Sequence, residues 1–276
     1  MALSRATPLG SPLTLFAGGA LLLMLMGALL GPVVSPHDAE SFDFASIDQP
    51  PSAAHWFGTD GVGRDLFART MAGARVSFTV ALLTTAIALV IGIPWGALAG
   101  FAGGRTDQVL MRIVDGMYCL PGILLVILFV VVFGQNQFLL FAGIGAISWL
   151  TIARIVRAQA LRLREAGFIA AARGMGGGTG YIIRRHVIPN VAGPIIVYTT
   201  LLIPGVILAE SFISFLGLGI QEPATSWGVL VADGIQTMET SPWLLLCPAA
   251  CLAVTVWSLN TLGDRLRDRL DPRGSP

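Results

Sequence analysis

The chain contains no lysine; all 17 of its basic residues are arginine. Charge of either sign is scarce, with 12% of the 276 residues charged, where a soluble domain carries roughly a quarter. That shortfall argues against a chain whose surface mostly faces water. The formal net charge of +1 gives no electrostatic reason to expect a nucleic-acid partner. Cysteine is rare as well. Cys119, Cys247 and Cys251 sit in apolar runs without CxxC spacing, which argues against zinc or redox chemistry and makes them small buried hydrophobes. There is no P-loop, no GxSxG, no HExxH and no paired intramembrane aspartates, so this chain is not expected to hydrolyse ATP or to act as an enzyme. The three histidines, His37, His55 and His186, are far apart in the sequence. No metal site is expected from them, and no catalytic residue is assigned.

What the chain has instead is long apolar runs. A membrane span needs about 20 predominantly apolar residues. Six stretches qualify: Leu13–Val34, Val76–Phe101, Val109–Gly134, Phe138–Val156, Val191–Leu218 and Trp243–Leu262. The runs are continuous rather than alternating, which favours helices over a barrel. Helices also satisfy their own backbone in lipid. The first run has 22 residues, longer than the roughly 7–15 of a signal-peptide core, and no small-x-small site follows closely, so it reads as an uncleaved span. The expected fold class is an all-α integral membrane protein of about six transmembrane helices.

Arginine placement orients these spans. With the N-terminus inside, 14 of the 17 arginines fall on inner segments. Only Arg64, Arg69 and Arg75 fall outside, beside six acids from Asp38 to Asp65. Both termini are therefore expected in the cytoplasm. The divisions follow: 1–12 is a cytoplasmic N-terminus, 13–34 the first transmembrane helix and 35–75 an outer loop. Residues 76–262 form a five-helix core containing a cytoplasmic segment, 162–190, and 263–276 is a cytoplasmic tail. Gly92, Pro94, Gly96, Pro121, Pro194 and Pro204 lie inside spans. They fit either close helix packing or a bundle built to rearrange.

The segment 162–190 is the informative one. Phe168 to Arg173 is Ala-rich and helix-favouring. Glycines at 174, 176, 177, 178 and 180 stop that helix and force a turn. Tyr181 to His186 restarts a helix, and Pro189 marks the start of the fifth span. Two readings stay open. One is an amphipathic helix resting on the lipid surface through its arginines; the other is an element that docks a cytoplasmic partner and passes movement to the spans through the tight turn.

At this point the sequence resembles a known family, the permease subunits of binding-protein-dependent ABC importers. Ala170-Ala171-Ala172, three residues, Gly176, nine residues, then His186-Val187-Ile188-Pro189 matches the spacing of the family's Glu-Ala-Ala, Gly and Ile-x-Leu-Pro motif. Ala170 stands where the family has Glu, which removes a charged contact but not the docking helix. Four further blocks resemble the dipeptide and oligopeptide branch. Gly58-Thr59-Asp60-Gly61-Val62-Gly63-Arg64-Asp65 with Arg69 and Gly73 to Ser77 precedes the second span. Gly103 to Asp107, Arg112, Asp115 and Pro121 form the second block. Ser214 to Gly219 with Pro223 and Ser226-Trp227-Gly228 form the third, and Gly263 to Pro272 the last.

The resemblance implies the membrane subunit of a hetero-oligomeric, ATP-driven importer in the bacterial inner membrane. Its partners would be a second homologous permease, two ABC ATPase subunits and an extracytoplasmic substrate-binding protein. ATP and Mg would sit on the ATPases, with no cofactor on this chain. The cargo would be dipeptides or oligopeptides; a nickel or metal-chelate importer is the alternative, and a self-contained secondary transporter a more distant one. Phe168, Ala170, Ala171, Ala172, Arg173, Gly176 and Pro189 would form the ATPase-coupling element. Gly58, Thr59, Asp60, Gly63, Arg64 and Asp65 form the outer-loop motif, read as a salt-bridged surface cap or as a contact for the binding protein. Arg112 and Asp115, three apart on one helical face, are expected to pair. Glu210, about 29 Å along the fifth span at about 1.5 Å per residue and so near its outer boundary, reads either as lining the outer end of the pathway or as a carboxylate hydrated at the interface.

Overall fold

The computed structural model describes residues 11–134 and 136–270. Most of the expected N-terminal segment 1–12, with Arg5, and the end of the tail, with Asp271, Pro272 and Arg273, lie outside the described residues. The described chain is helical: α1 Pro12–Val34, α2 Leu66–Ala102, α3 Gly104–Tyr118, α4 Gly122–Phe133, α5 Gln137–Arg164, α6 Gly167–Gly174, α7 Thr179–Ile182, α8 Ile188–Phe215, α9 Trp227–Gln236 and α10 Trp243–Leu270. A π-helical turn, Ile183–Val187, joins α7 to α8. Five of these helical stretches are long and apolar enough to cross a membrane, or six if the bent pair α3–α4 counts as one.

At three places the helices begin, break or end elsewhere than the expected span limits. The third span is not continuous: α3 and α4 meet at 79°. Pro121 adopts an extended ψ of 115°, and a residue before proline is pushed out of the helical region, so the chain turns at Leu120-Pro121. Within the expected outer loop 35–75, helix already begins at Leu66, because the Asp65 carboxylate accepts the Ala68 N–H at 2.8 Å and starts α2 ten residues before Val76. At the other end, α10 runs through Leu270, so helix takes up most of the expected tail.

The bundle is built around α2 and α5. Gly92, Gly96 and Gly100 lie four apart on one face of α2. A Cβ on Gly92 would come within 2.8 Å of the Trp149 carbonyl, and one on Gly100 within 2.5 Å of the Arg157 carbonyl; one on Gly96 would run into the Ala153 carbonyl. The glycines therefore let two backbones touch along about two turns, which is how small residues hold membrane helices together. Asp107 on α3 receives Arg157 Nε and Nη2 at 2.5 and 2.6 Å, fixing α3 along the same stretch of α5.

Helix α1 leans on the outside of this core. Met71 of α2 packs where side chains on Gly27 and Gly31 would stand. Arg75 donates to the carbonyls of Ala28 and Leu29 at 3.2 and 3.1 Å. Elsewhere α1 presents bare apolar surface, with Leu15, Phe16, Leu22 and Leu23 each more than 60% exposed. Water would penalise such a surface; the hydrocarbon of a bilayer does not. The helices alternate in direction. One end of the bundle gathers loop 35–65, α9 and the start of α10; the other gathers α6, α7 and the end of α2.

Candidate functional site

At the α6 end, the chain leaves α5 and folds into a short helix, a turn and a second helical start. The turn follows from three backbone hydrogen bonds. Met175 N–H donates to Ala171 O, Gly176 N–H to Arg173 O at 2.9 Å and Gly177 N–H to Ala172 O at 3.0 Å. That pattern is a Schellman ending, which needs a left-handed residue just past the cap. Gly176 supplies it, with φ +86°. Beyond the turn, α7, the π turn and α8 run as one continuous stretch from Thr179 to Phe215. The π turn falls where Pro189 has no N–H to offer the Arg185 carbonyl, and the Ile188 N–H reaches back to Ile183 instead.

Within α6, Ile169 (0% exposed) and Ala172 (3%) face the bundle, while Phe168 (45%) and, beyond the helix, Met175 (82%) face outward. Ala170, Ala171, Arg173, Gly176 and Pro189 are exposed. Of the proposed coupling residues, Ala172 alone is interior. The helix is tied to the core through Arg173, whose guanidinium lies 4.8 Å from the Phe101 ring centroid at the end of α2; just before it, Arg164 at the end of α5 packs over Gly103, whose φ is +66°.

The opposite end holds a cluster of charge. Arg64 Nε meets Asp60 Oδ2 at 2.7 Å, and its Nη1 meets Glu222 Oε1 at 2.9 Å. Burial alone would lower the Arg64 pKa, but these carboxylates outweigh it and raise it above the ordinary value. Arg69 is 2% exposed and stands 3.8 Å from both Asp60 and Glu222, too far for hydrogen bonds. Asp233 completes the group; burial pushes its carboxyl up, with Arg69 pulling the other way. These side chains line a cavity of about 350 Å³. Asp60, Gly63 and Arg64 of the outer-loop motif therefore act as one unit. Gly63 (φ +80°) and Gly58 (φ +81°) make its tight turns, and Thr59 Oγ1 accepts the Gln49 N–H at 2.9 Å. Glu222 and Asp233 escaped the sequence reading; a signal was available, since they are acids in a segment with little other charge.

Three expectations are revised by the geometry. Asp115 does not pair with Arg112: it receives Arg154 Nη2 of α5 at 2.7 Å, and that guanidinium also covers the Tyr118 ring at 3.9 Å. Glu210 does not line an open pathway in this conformation. It is 0% exposed, with Ser214 Oγ donating at 2.7 Å and Ser77 Oγ of α2 at 3.2 Å. Two of the histidines are not separated. The His37 and His55 rings lie 4.5 Å apart, centroid to centroid, and both approach Asp65.

Comparison with known proteins gives the chain its relatives. The family model described as "Binding-protein-dependent transport system inner membrane component" matches residues 92–275. An oligopeptide transport system permease protein of Haemophilus influenzae is 47% identical over 246 residues, covering 88% of this chain and 79% of that protein. Its counterpart in Escherichia coli K12 is 46% identical over 255 residues, covering 92% and 84%. A dipeptide transport system permease protein of Bacillus subtilis is 43% identical over 254 residues, covering 92% and 79%. Among solved structures, an inward-facing form of the MetNI methionine ABC transporter superposes with a TM-score of 0.60 at 18% identity, over 73% of this chain and 96% of that one. At that identity the likeness speaks for the fold.

Proposed function

We propose, from the premise that this chain belongs to the family of binding-protein-dependent transport system inner membrane components, that it passes dipeptides or oligopeptides across the inner membrane and is driven through α6. The chain is a translocation subunit of an ABC importer and not an enzyme; ATP is hydrolysed on separate subunits. The family implies a second permease, ATPase subunits and a substrate-binding protein as partners. The peptide cargo rests on the relatives, which are named for oligopeptide and dipeptide transport. Nickel or a metal chelate is the competing cargo.

The observation that carries the coupling role is the joint between α6 and the continuous stretch Thr179–Phe215. A force on the outward face of α6, at Phe168, Ala170, Ala171 and Arg173, passes through a turn closed by three hydrogen bonds into a helix that crosses the bundle. Ala172 anchors the helix, Gly176 sets the turn and Pro189 sets the joint. Small side chains at 170 and 171 let an ATPase cleft close over the helix. ATP-driven movement of the ATPases then switches the permease pair between two arrangements. With α6 in the cytoplasm, both termini are cytoplasmic, and the outer-loop motif, with Asp60 and Arg64 in the charge cluster and Asp65 buried beneath them, lies on the side of the binding protein.

Co-purification of the assembled importer tests the coupling role. Ala171→Glu places a charge on the outward face of α6 and makes no change to the core. Purification in mild detergent is expected to retain the second permease and lose the ATPases. ATPases retained in wild-type proportion would sink the docking role. Uptake of a labelled tripeptide, against a labelled nickel chelate, by cells lacking other peptide importers decides the cargo.

A further inference from the structure

The exit of α1, the loop after it and the start of α2 converge at the end of the bundle opposite α6, around a single carboxylate. His37 follows the end of α1, His55 lies in the loop, and Asp65 begins α2. His55 Nδ1 is 2.9 Å from Asp65 Oδ2, and His37 Nδ1 is 3.8 Å from the same oxygen. One ligand atom from each of the three residues lies within 4.8 Å of the others. The other oxygen, Asp65 Oδ1, is engaged by the Ala68 N–H at 2.8 Å, which fixes the carboxylate with Oδ2 toward the imidazoles. His55 and Asp65 are buried, at 7% and 4% exposure. His37 Nδ1 is also buried, and among the described residues it has no hydrogen-bond partner. A buried polar atom in that position has given up its hydrogen bond to water for nothing on the protein side.

We propose that His37, His55 and Asp65 form a binding site for one divalent transition-metal ion of the zinc type. Two imidazoles and one carboxylate are a donor set that zinc-like ions accept, whereas calcium and magnesium prefer all-oxygen shells. In a tetrahedral zinc site with bonds of about 2.0–2.2 Å, neighbouring ligand atoms stand roughly 3.3–3.5 Å apart. The separations of 2.9 and 3.8 Å bracket that spacing, so modest turns of the two rings complete the set. Three protein ligands leave a fourth position for water. The backbone contact of Asp65 Oδ1 is the kind of outer-shell bond that orients a ligating carboxylate. Bound there, the ion would clip the exit of α1 and loop 35–65 onto the first turn of α2. This site is independent of the peptide cargo and of the α6 coupling.

The test uses the full chain, purified with a tag free of histidine and placed in lipid nanodiscs. The protein is stripped with chelator and titrated with zinc against a chromophoric competitor. The expected result is one zinc per chain. Binding should weaken more than tenfold in His37→Gln and in His55→Gln, and stay unchanged in His186→Gln; calcium should not compete. X-ray absorption at the zinc edge on the wild type gives a readout that needs no variant, with nitrogen and oxygen neighbours and no sulfur. Absence of saturable one-to-one binding, wild-type affinity in His37→Gln, or a sulfur shell from the cysteines would each overturn the proposal.

Discussion

Glu210 sits inside the helix bundle with its two oxygens accepting from Ser214 at 2.7 Å and Ser77 at 3.2 Å. Ser77 is on α2 and Glu210 on α8, so the carboxyl group joins two spans where no water can substitute for it. Replacement by leucine of similar volume would strand the hydroxyls, at about 1–3 kcal/mol for a buried unsatisfied group. Glu210→Leu should therefore lower the thermal unfolding midpoint of the detergent-solubilised chain. Glu210→Gln keeps an acceptor oxygen and should lower it less; equal midpoints for the two variants would contradict the hydroxyl cage. The depth of Glu210 along its span was legible from helical rise alone, because rise is a property of the backbone. Its burial was not. The hydroxyl that crosses from α2 is 133 positions away in sequence, and one sequence does not say which face of α8 meets which face of α2. The same limit hid the meeting of His37 with His55, and the choice of Arg154 over Arg112 by Asp115. Asp60 with Arg64 was legible, since four residues and a glycine turn separate them.

Among the elements, the pair α2–α5 depends most directly on sequence. Three glycines at four-residue spacing put carbonyls of α5 within reach of any added Cβ, and a backbone atom cannot swing aside as a side-chain tip can. Gly96→Leu should force the helices apart and cost more than the about 1–3 kcal/mol usual for overpacking, read as loss of monodisperse protein after purification. Gly73→Ala makes a useful contrast: its Cβ would meet the Ser226–Trp227 backbone at 3.1–3.3 Å, a milder clash that should leave folded protein. The turn after α6 depends on a conformation rather than on space. Gly176 has nothing near its absent Cβ but holds φ +86°, where an L-residue is disfavoured by about 1–2 kcal/mol. Gly176→Ala should leave assembly intact and reduce peptide uptake per ATP hydrolysed, because the Schellman turn loosens. Unchanged coupling in that variant would show that the turn is not the transmitting joint. The glycine cluster announced this turn in the sequence. The break between α3 and α4 was less visible, since the apolar run continues past Pro121 and only the proline marks the place where the backbone leaves the helix.

At the scale of the molecule, the two ends differ in chemistry. One end carries α6 with Arg164, Arg173, Arg184 and Arg185. The other carries Asp60, Glu222 and Asp233 around Arg64 and Arg69, with loop 35–65 clamped over it. The asymmetry in arginine follows the positive-inside rule and makes a prediction that needs no knowledge of cargo. In a background with Cys119, Cys247 and Cys251 replaced by alanine or serine, Met175→Cys and Gly61→Cys place single thiols at opposite ends. Met175 is 82% exposed, and Gly61 has no atom within 4 Å of an added Cβ, so neither substitution disturbs packing. A membrane-impermeant maleimide applied to intact spheroplasts should label Gly61→Cys at once and Met175→Cys only after the membrane is opened. In inverted vesicles the order should reverse. The opposite pattern would place α6 outside the cell, away from any ATPase, and would remove the coupling role at a stroke. The expected pattern would make the Thr179–Phe215 stretch a lever with its drive end in the cytoplasm. Its far end would then lie at Glu210 and Ser77, so movement of α6 would reach the outer half of the bundle through that hydroxyl-bonded contact.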